Sequence, residues 1–332
     1  MAHGRFDNPV VAALHGIYDL FRKQDLVDRL SENDRLDGKR VVVTGANSGL
    51  GYAITVEVAR RGGDVIMACR RDLPEILEQA QRESGSDKIE MRHLDLGKVE
   101  SLYTFTDQLK AEGKLLDVLV MNAAVALPKA RKTELGLEEM FLVNYLANFM
   151  LANLMTAKQV MHLGAEEAPR ILFISSDSHQ GSSAVDYSEF GNYVDYGVSQ
   201  GIGYYSYYKL VTNTMMVELS RRINKDGHKM GVNVICPGPV NTEIAKEAPP
   251  FLHKILKGIF WIFFKAPKVA ALPVVYMAAS ADYKGRSEEY QHMFNEKKMD
   301  PKCYEPEAGA KLWEESLKLW KKLGFEVPKM DY

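Results

Sequence analysis

With 332 residues, 46% of them hydrophobic, the chain can bury a sizeable core without disulfides or a structural metal. Its formal charge of −2 carries no basic excess and argues against a nucleic-acid partner. Cys69, Cys236 and Cys303 stand apart with no CxxC spacing, so neither a disulfide framework nor a metal site is expected, and a reducing, intracellular compartment fits.

In chain order, Val10, Leu14, Ile17 and Phe21 recur at helical spacing and predict an amphipathic helix, followed by a polar connector from Ser31 to Lys39. His15 and Asp19 interrupt the apolar run that a secretion signal needs. Residues 1–37 are therefore expected as an appendage to a domain of residues 38–332. No apolar run reaches the roughly 18 residues of a membrane span. From Gly38 onward short apolar runs alternate with longer helical patterns. Strands are predicted at Arg40–Thr44, Asp64–Cys69, Ile89–Leu94, Leu116–Met121, Arg170–Ser175, Gly231–Cys236 and Glu288–Phe294. Helices are predicted at Leu50–Arg61, Leu73–Arg82, Ser101–Ala111, Glu138–Met161, Tyr205–Asn224 and Lys268–Ala281. Repeated βα units of this kind build a doubly wound parallel α/β sheet, whose ligand lies beyond the carboxyl ends of the strands.

The stretch TGANSGLG, Thr44 to Gly51, lies at such an end. Its glycines have physical tasks there: a tight turn, close approach of backbone to phosphate, and close packing of helix on strand. The spacing Gly-x-x-x-Gly-x-Gly resembles the cofactor loop of the short-chain dehydrogenase/reductase family. Other landmarks of that family follow in order: Asp95-Leu96, Asn122-Ala123, Asn144 in FLVNYLANF, Ser176, Tyr205-x-x-x-Lys209 and Pro237-Gly238. TGANSGLG, ACRR, SSDSHQG, YKL and KLWEESLKLW look like the retinol dehydrogenase-type branch and its plant relative, protochlorophyllide oxidoreductase. The resemblance implies a Rossmann fold and catalysis by Asn144, Ser176, Tyr205 and Lys209. It implies a nicotinamide cofactor held by Gly45, Asn47, Ser48, Gly49, Leu50, Gly51, Arg70, Asp95, Leu96, Asn122, Ala123, Tyr205, Lys209, Pro237, Gly238, Val240 and Thr242. Lys209 is implied to bind the nicotinamide ribose, and Asn144 to hold a water that connects Lys209 to solvent. A buried Asn capping a helix kink is the bland alternative for Asn144.

The chemistry can also be read from the residues. Tyr205 and Lys209 are four positions apart and share one helical face, where an ammonium would favour the phenolate and lower the Tyr pKa. Tyr204, Tyr207 and Tyr208 have no such Lys and read as packing. Ser176 at a strand end can hydrogen-bond a substrate oxygen; Ser175 is its rival, and in the family the hydroxyl at the position of Ser176 is the catalytic one. At the end of the second strand, where NAD needs an acid for its ribose 2′-hydroxyl, stands Arg70, which favours the 2′-phosphate of NADP(H) over NAD. A solvated Arg at a strand end is the bland alternative, and Asp72 could pair with Arg71.

Two departures bear on function. The family's usual Asn-Asn-Ala-Gly is here Met121-Asn122-Ala123-Ala124, and Asn-Ala-Ala also occurs in protochlorophyllide oxidoreductases. Two beyond the catalytic Lys, where those photoenzymes carry a Cys, stands Val211, which makes light-driven reduction the minor reading. Residues 243–268 are expected to cover the substrate. Within them Phe251, Leu252, Ile255, Leu256, Ile259, Phe260, Trp261, Ile262, Phe263 and Phe264 interleave with Lys254, Lys257, Lys265 and Lys268. That pattern leaves three readings for 251–268: a peripheral membrane contact, a lid or a homodimer contact. The expected function is NADP-dependent hydride transfer between nicotinamide and a lipophilic alcohol and its ketone or aldehyde, such as a retinoid, steroid or long-chain lipid, in the cytoplasm or on a membrane surface. The alternative of a non-catalytic NADP-binding protein sits badly with four chemically competent groups.

Overall fold

A computed structural model describes residues 29–161, 163–164, 168–227, 230–238 and 266–330. The amphipathic helix expected before residue 29, the segment 243–265, Val240 and Thr242 lie outside the described residues. The elements run β1 Arg40–Thr44, α1 Gly49–Arg60, β2 Asp64–Cys69, α2 Pro74–Ser84, β3 Ile89–His93, α3 Val99–Ala111, β4 Val118–Met121, a wide π turn Phe141–Leu146 and α4 Ala147–Ala157. They continue with β5 Arg170–Ile174, α5 Gly201–Asn224, β6 Gly231–Cys236, α6 Pro267–Ala279, β7 Tyr290–His292, β8 Asn295–Lys297 and α7 Pro306–Lys322.

The eight strands form one sheet in the order β3-β2-β1-β4-β5-β6-β7-β8, parallel except for β8. This is a Rossmann-type doubly wound sheet. Its central strands, such as RVVVT and GVNVIC, are buried along their whole length, as expected for parallel strands covered on both faces. Alternation assigns their side chains to two layers. Val42, Ile66, Leu119 and Phe173 face α3, α4 and α5, while Val41, Val43, Met67 and Val120 face α1 and α6. The order reverses direction between β1 and β4, which opens the crevice where ligands of such sheets bind.

The structure departs from the sequence reading in four places. The long helix expected over 138–161 is divided: Glu138 is wholly buried, and its carboxylate accepts from Tyr196 OH at 2.9 Å and from the Phe141 amide at 2.8 Å, capping a π turn before α4 begins. β8, a three-residue return strand, is too short to show an alternation. α7 was not among the expected elements, although Leu312, Trp313, Ser316, Leu319 and Trp320 form one buried stripe at helical spacing. The connector is also held more closely than an appendage would be. Leu36 is buried, and Arg61 Nη1 donates to the carbonyls of Ser31 at 2.6 Å and Asp34 at 2.9 Å.

α7 covers the outer side of α4 and α5. Trp313 and Trp320 meet Phe149 edge-on at centroid distances of 4.9 and 5.9 Å, and Trp320 Nε1 donates to Tyr103 OH at 2.8 Å. Trp320 is fully buried. Trp320→Ala should therefore lower the unfolding free energy by about 3–5 kcal/mol, read from urea denaturation; a loss below about 1 kcal/mol would show that α7 does not complete the core.

Candidate active site

The loop from Thr44 to Gly51 leaves β1 at the crevice, and its glycines stand where a side chain would be strained or would clash. Gly45 and Gly49 adopt φ of +65° and +56°. A Cβ on Gly51 would lie 2.4 Å from the Gly45 carbonyl oxygen and 2.6 Å from Asn122 Nδ2. α1 then starts with neither a side-chain cap from Ser48 nor an acidic residue in its first turn. Its free amides and dipole suit a pyrophosphate, and Asn47, Ser48 and Leu50 lie at this end of the helix. Thr44 Oγ1, fully buried, accepts from the amides of Asn122 and Ala123, each at 3.0 Å; Asn122 Nδ2 donates to the Thr44 carbonyl at 2.9 Å.

Around this loop stand the other residues expected at the cofactor. Arg70 and Arg71 are exposed just beyond β2, and among the described residues neither forms an ion pair, so Asp72 does not pair with Arg71. Asp95 follows β3 and spends one carboxylate oxygen on the Gly97 amide at 2.9 Å, and Leu96 is buried. Pro237 is buried and Gly238 adopts φ of +81° at the end of β6.

Tyr205 and Lys209 lie one turn apart on α5, with Lys209 Nζ 5.5 Å from the Tyr205 ring centroid and 4.7 Å from that of Phe173. Nζ donates to the Ile174 carbonyl at 2.7 Å, which fixes the Lys to the end of β5. Ser175 is buried there, and its hydroxyl has no hydrogen-bond partner among the described residues. Ser176 is half-buried and caps the short 3-10 turn Asp177–Gly181, which packs against α5. Asn144, fully buried within the π turn, uses both ends of its amide on Val125: Oδ1 accepts the Val125 amide and Nδ2 donates to the Val125 carbonyl, each at 2.8 Å. Its own carbonyl accepts from Thr212 Oγ1 at 3.1 Å and so joins the π turn to α5.

Residues 39–189 match the short chain dehydrogenase family. Human retinol dehydrogenase 13 is 32% identical over 300 residues, which cover 88% of this chain and 87% of that one. Human polyprenol dehydrogenase is 28% identical over 282 residues, 84% of each chain. Among solved structures, an uncharacterized protein from Mycobacterium paratuberculosis superposes with a TM-score of 0.64 at 25% identity, over 86% of this chain and 95% of that one. The chain belongs to the short-chain dehydrogenase family.

For this short-chain dehydrogenase the electrostatics of the Tyr-Lys pair differ from the sequence expectation. The Tyr205 phenol is not lowered: desolvation pushes it well above its ordinary value. Desolvation also pushes Lys209 down to about 7. Burial therefore outweighs the attraction expected from the spacing alone, and each group resists charge. Several contributors carried no signal in spacing. Thr44 braces two strands, Ile174 offers a carbonyl to Lys209, and Thr212 holds Asn144. Asp177, just after Ser176, has its carboxylate bound by Tyr290 OH and lying 3.1 Å from both His292 Nδ1 and Lys297 Nζ. Burial alone would raise that carboxyl, but His292 and Lys297 hold it below the usual range.

A depressed Lys pKa has a defined effect on stability. Between pH of about 7 and 10.5 the unfolded chain binds a proton at residue 209 that the folded chain lacks, so this group makes folding more favourable as pH rises through that window. Urea unfolding of wild type and Lys209→Met from neutral pH upward should show that component in wild type only. Parallel pH profiles would mean that Lys209 stays charged when buried.

Proposed function

We propose that this chain transfers a hydride between NADP(H) and a lipophilic alcohol and its carbonyl, with Tyr205 as proton donor and acceptor. The observation that carries this reading is the placement of Tyr205 above Lys209 on α5, beside the turn that Ser176 caps. NADP(H), when bound, supplies or accepts the hydride. Ser176 hydrogen-bonds the substrate oxygen. Tyr205 gives its proton to that oxygen during reduction and takes it back during oxidation. Lys209, held by the Ile174 carbonyl, favours the phenolate whenever it is protonated, and Asn144 keeps the loop after β4 in place through Val125.

The glycine cradle and the uncapped start of α1 fit a pyrophosphate, and Arg70 supports the 2′-phosphate because among the described residues no carboxylate pairs with it. A lipophilic substrate is supported by the names of the relatives, retinol and polyprenol dehydrogenases, and by the approach to Tyr205. Ile202, one turn before Tyr205, is 72% exposed, and Val198 is 47% exposed. Exposed apolar side chains at that position suit an apolar substrate better than a sugar or a hydroxy acid. The basic, aromatic segment 251–268 supports delivery of such a substrate from a membrane surface.

Tyr205→Phe should lower turnover of all-trans-retinaldehyde with NADPH by on the order of 10²–10⁴ while NADPH binding survives. Turnover at the wild-type rate would remove Tyr205 from the reaction. Arg70→Asp should weaken NADPH binding far more than NADH binding, because a phosphate contact becomes a repulsion. Equal effects on the two cofactors, measured by nicotinamide fluorescence titration, would place recognition of the 2′-phosphate elsewhere.

A further inference from the structure

Ser176 is held in an unusual way for a hydroxyl that must meet a substrate. Its Oγ accepts the Ser178 amide at 3.3 Å and the Ser178 hydroxyl at 3.0 Å. A serine hydroxyl has two lone pairs and one proton. Ser178 occupies both lone pairs from within the turn, and among the described residues no acceptor takes the proton. The only hydrogen bond left to Ser176 Oγ is one that it donates.

The turn that imposes this is itself anchored on two sides. His179, fully buried, donates through Nδ1 to the Ser176 carbonyl at 2.6 Å, which leaves Nε2 as the acceptor for the Asp300 amide at 3.2 Å. These two bonds define a neutral ring with the proton on Nδ1, in keeping with the lowering that burial causes at His179. On the other side Asp177 is bound by Tyr290, His292 and Lys297 of the β7–β8 hairpin. Ser178 therefore sits on a turn fixed to two separate segments, which hold its backbone amide and Cβ beside Ser176.

We propose that Ser178 is a positioning residue for Ser176: by filling both acceptor sites of the Ser176 hydroxyl, it commits that hydroxyl's proton to the substrate oxygen. This rests on the oxidoreductase reading above. Its consequence is specific. A carbonyl oxygen on the way to an alkoxide gains negative charge and needs donors, and a serine free to rotate would spend part of its time presenting a lone pair instead. Ser178 removes that alternative before the substrate arrives, so the donor needs no reorganisation during the reaction.

Two measurements test this. Neutron diffraction from deuterated crystals of the full chain reads the hydroxyls directly: the Ser178 deuteron should point at Ser176 Oγ, and the Ser176 deuteron away from Ser178. A Ser176 deuteron directed at Ser178 Oγ overturns the proposal. In solution, reduction of all-trans-retinaldehyde by NADPH is compared in wild type, Ser178→Ala, Ser178→Thr and Ser176→Ala. Ser178→Ala should lose roughly tenfold in kcat, with KM for NADPH and the thermal midpoint unchanged, and Ser178→Thr should recover most of the loss. Loss of activity in Ser176→Ala beside an unaffected Ser178→Ala overturns the role of Ser178 alone. Full activity in Ser176→Ala overturns the reading of Ser176 itself, and the proposal with it.

Discussion

The site depends first on the brace that Thr44 makes between β1 and β4. Strand order reverses between those two strands, so the chain leaves them toward opposite layers and the ladder that joins them ends at Val43 and Val120. A single buried hydroxyl does so, by accepting two successive amides from Asn122 and Ala123. The Asn122 side chain answers by donating to the Thr44 carbonyl. The crevice thus has a floor of fixed width, and the same contacts explain why position 51 must be glycine. Gly51 sits against the Gly45 carbonyl and against Asn122 Nδ2, so the brace and the cradle occupy one another's space. Ala124, where the family usually has glycine, leaves this brace intact because the contacts end at Ala123.

A second constraint governs the candidate reacting groups. Lys209 is buried and Tyr205 half-buried, and desolvation disfavours phenolate and ammonium alike. Moving a proton from the phenol to the amine creates two opposite charges close together without changing the net charge of the site, a far smaller change for the surroundings than charging either group alone. Lys209 is thus not a permanent cation, and any help it gives the Tyr205 phenolate depends on its own protonation state. Among the described residues, Lys209 has its orientation set by a carbonyl and two aromatic faces, not by a carboxylate. It can therefore change protonation state without dismantling an ion pair.

Much of this was legible in the sequence because the relevant patterns are local. β1, β2 and β6 carry the buried apolar runs of covered parallel strands, and their observed limits coincide with the expected ones. Glycine spacing after β1 and the four-residue step from Tyr205 to Lys209 likewise express geometry within one element. What escaped is long-range. No pattern around residue 144 shows that its amide closes on Val125, and none near Ser176 shows that Asp177 meets a hairpin more than a hundred residues later. The pKa expectation failed for the same reason. Spacing along a helix specifies a neighbour, but not how much water surrounds the pair. α7 is a different case, since its stripe of Leu312, Trp313, Ser316, Leu319 and Trp320 was present to be read as a helix.

The C-terminal third acquires a purpose from those long-range contacts. A parallel sheet could end at β7, yet β8 turns back antiparallel and places Lys297 beside Asp177, while the turn at Pro301–Tyr304 presents the Asp300 amide to His179. Met293, between the two strands, accepts a φ of +57°, a conformation that a non-glycine residue adopts only when its surroundings enforce it. The strain is tolerated where the hairpin must double back within three residues on either side. α7 then closes over α4 and α5 and fixes the helix that carries Tyr205. The N-terminal βα units thus build the glycine-lined side of the crevice, and the chain beyond β6 immobilises the turn that Ser176 caps and the helix that carries Tyr205 and Lys209. A donor aimed in advance is useful only if both are rigid, and here each is held by segments distant in sequence.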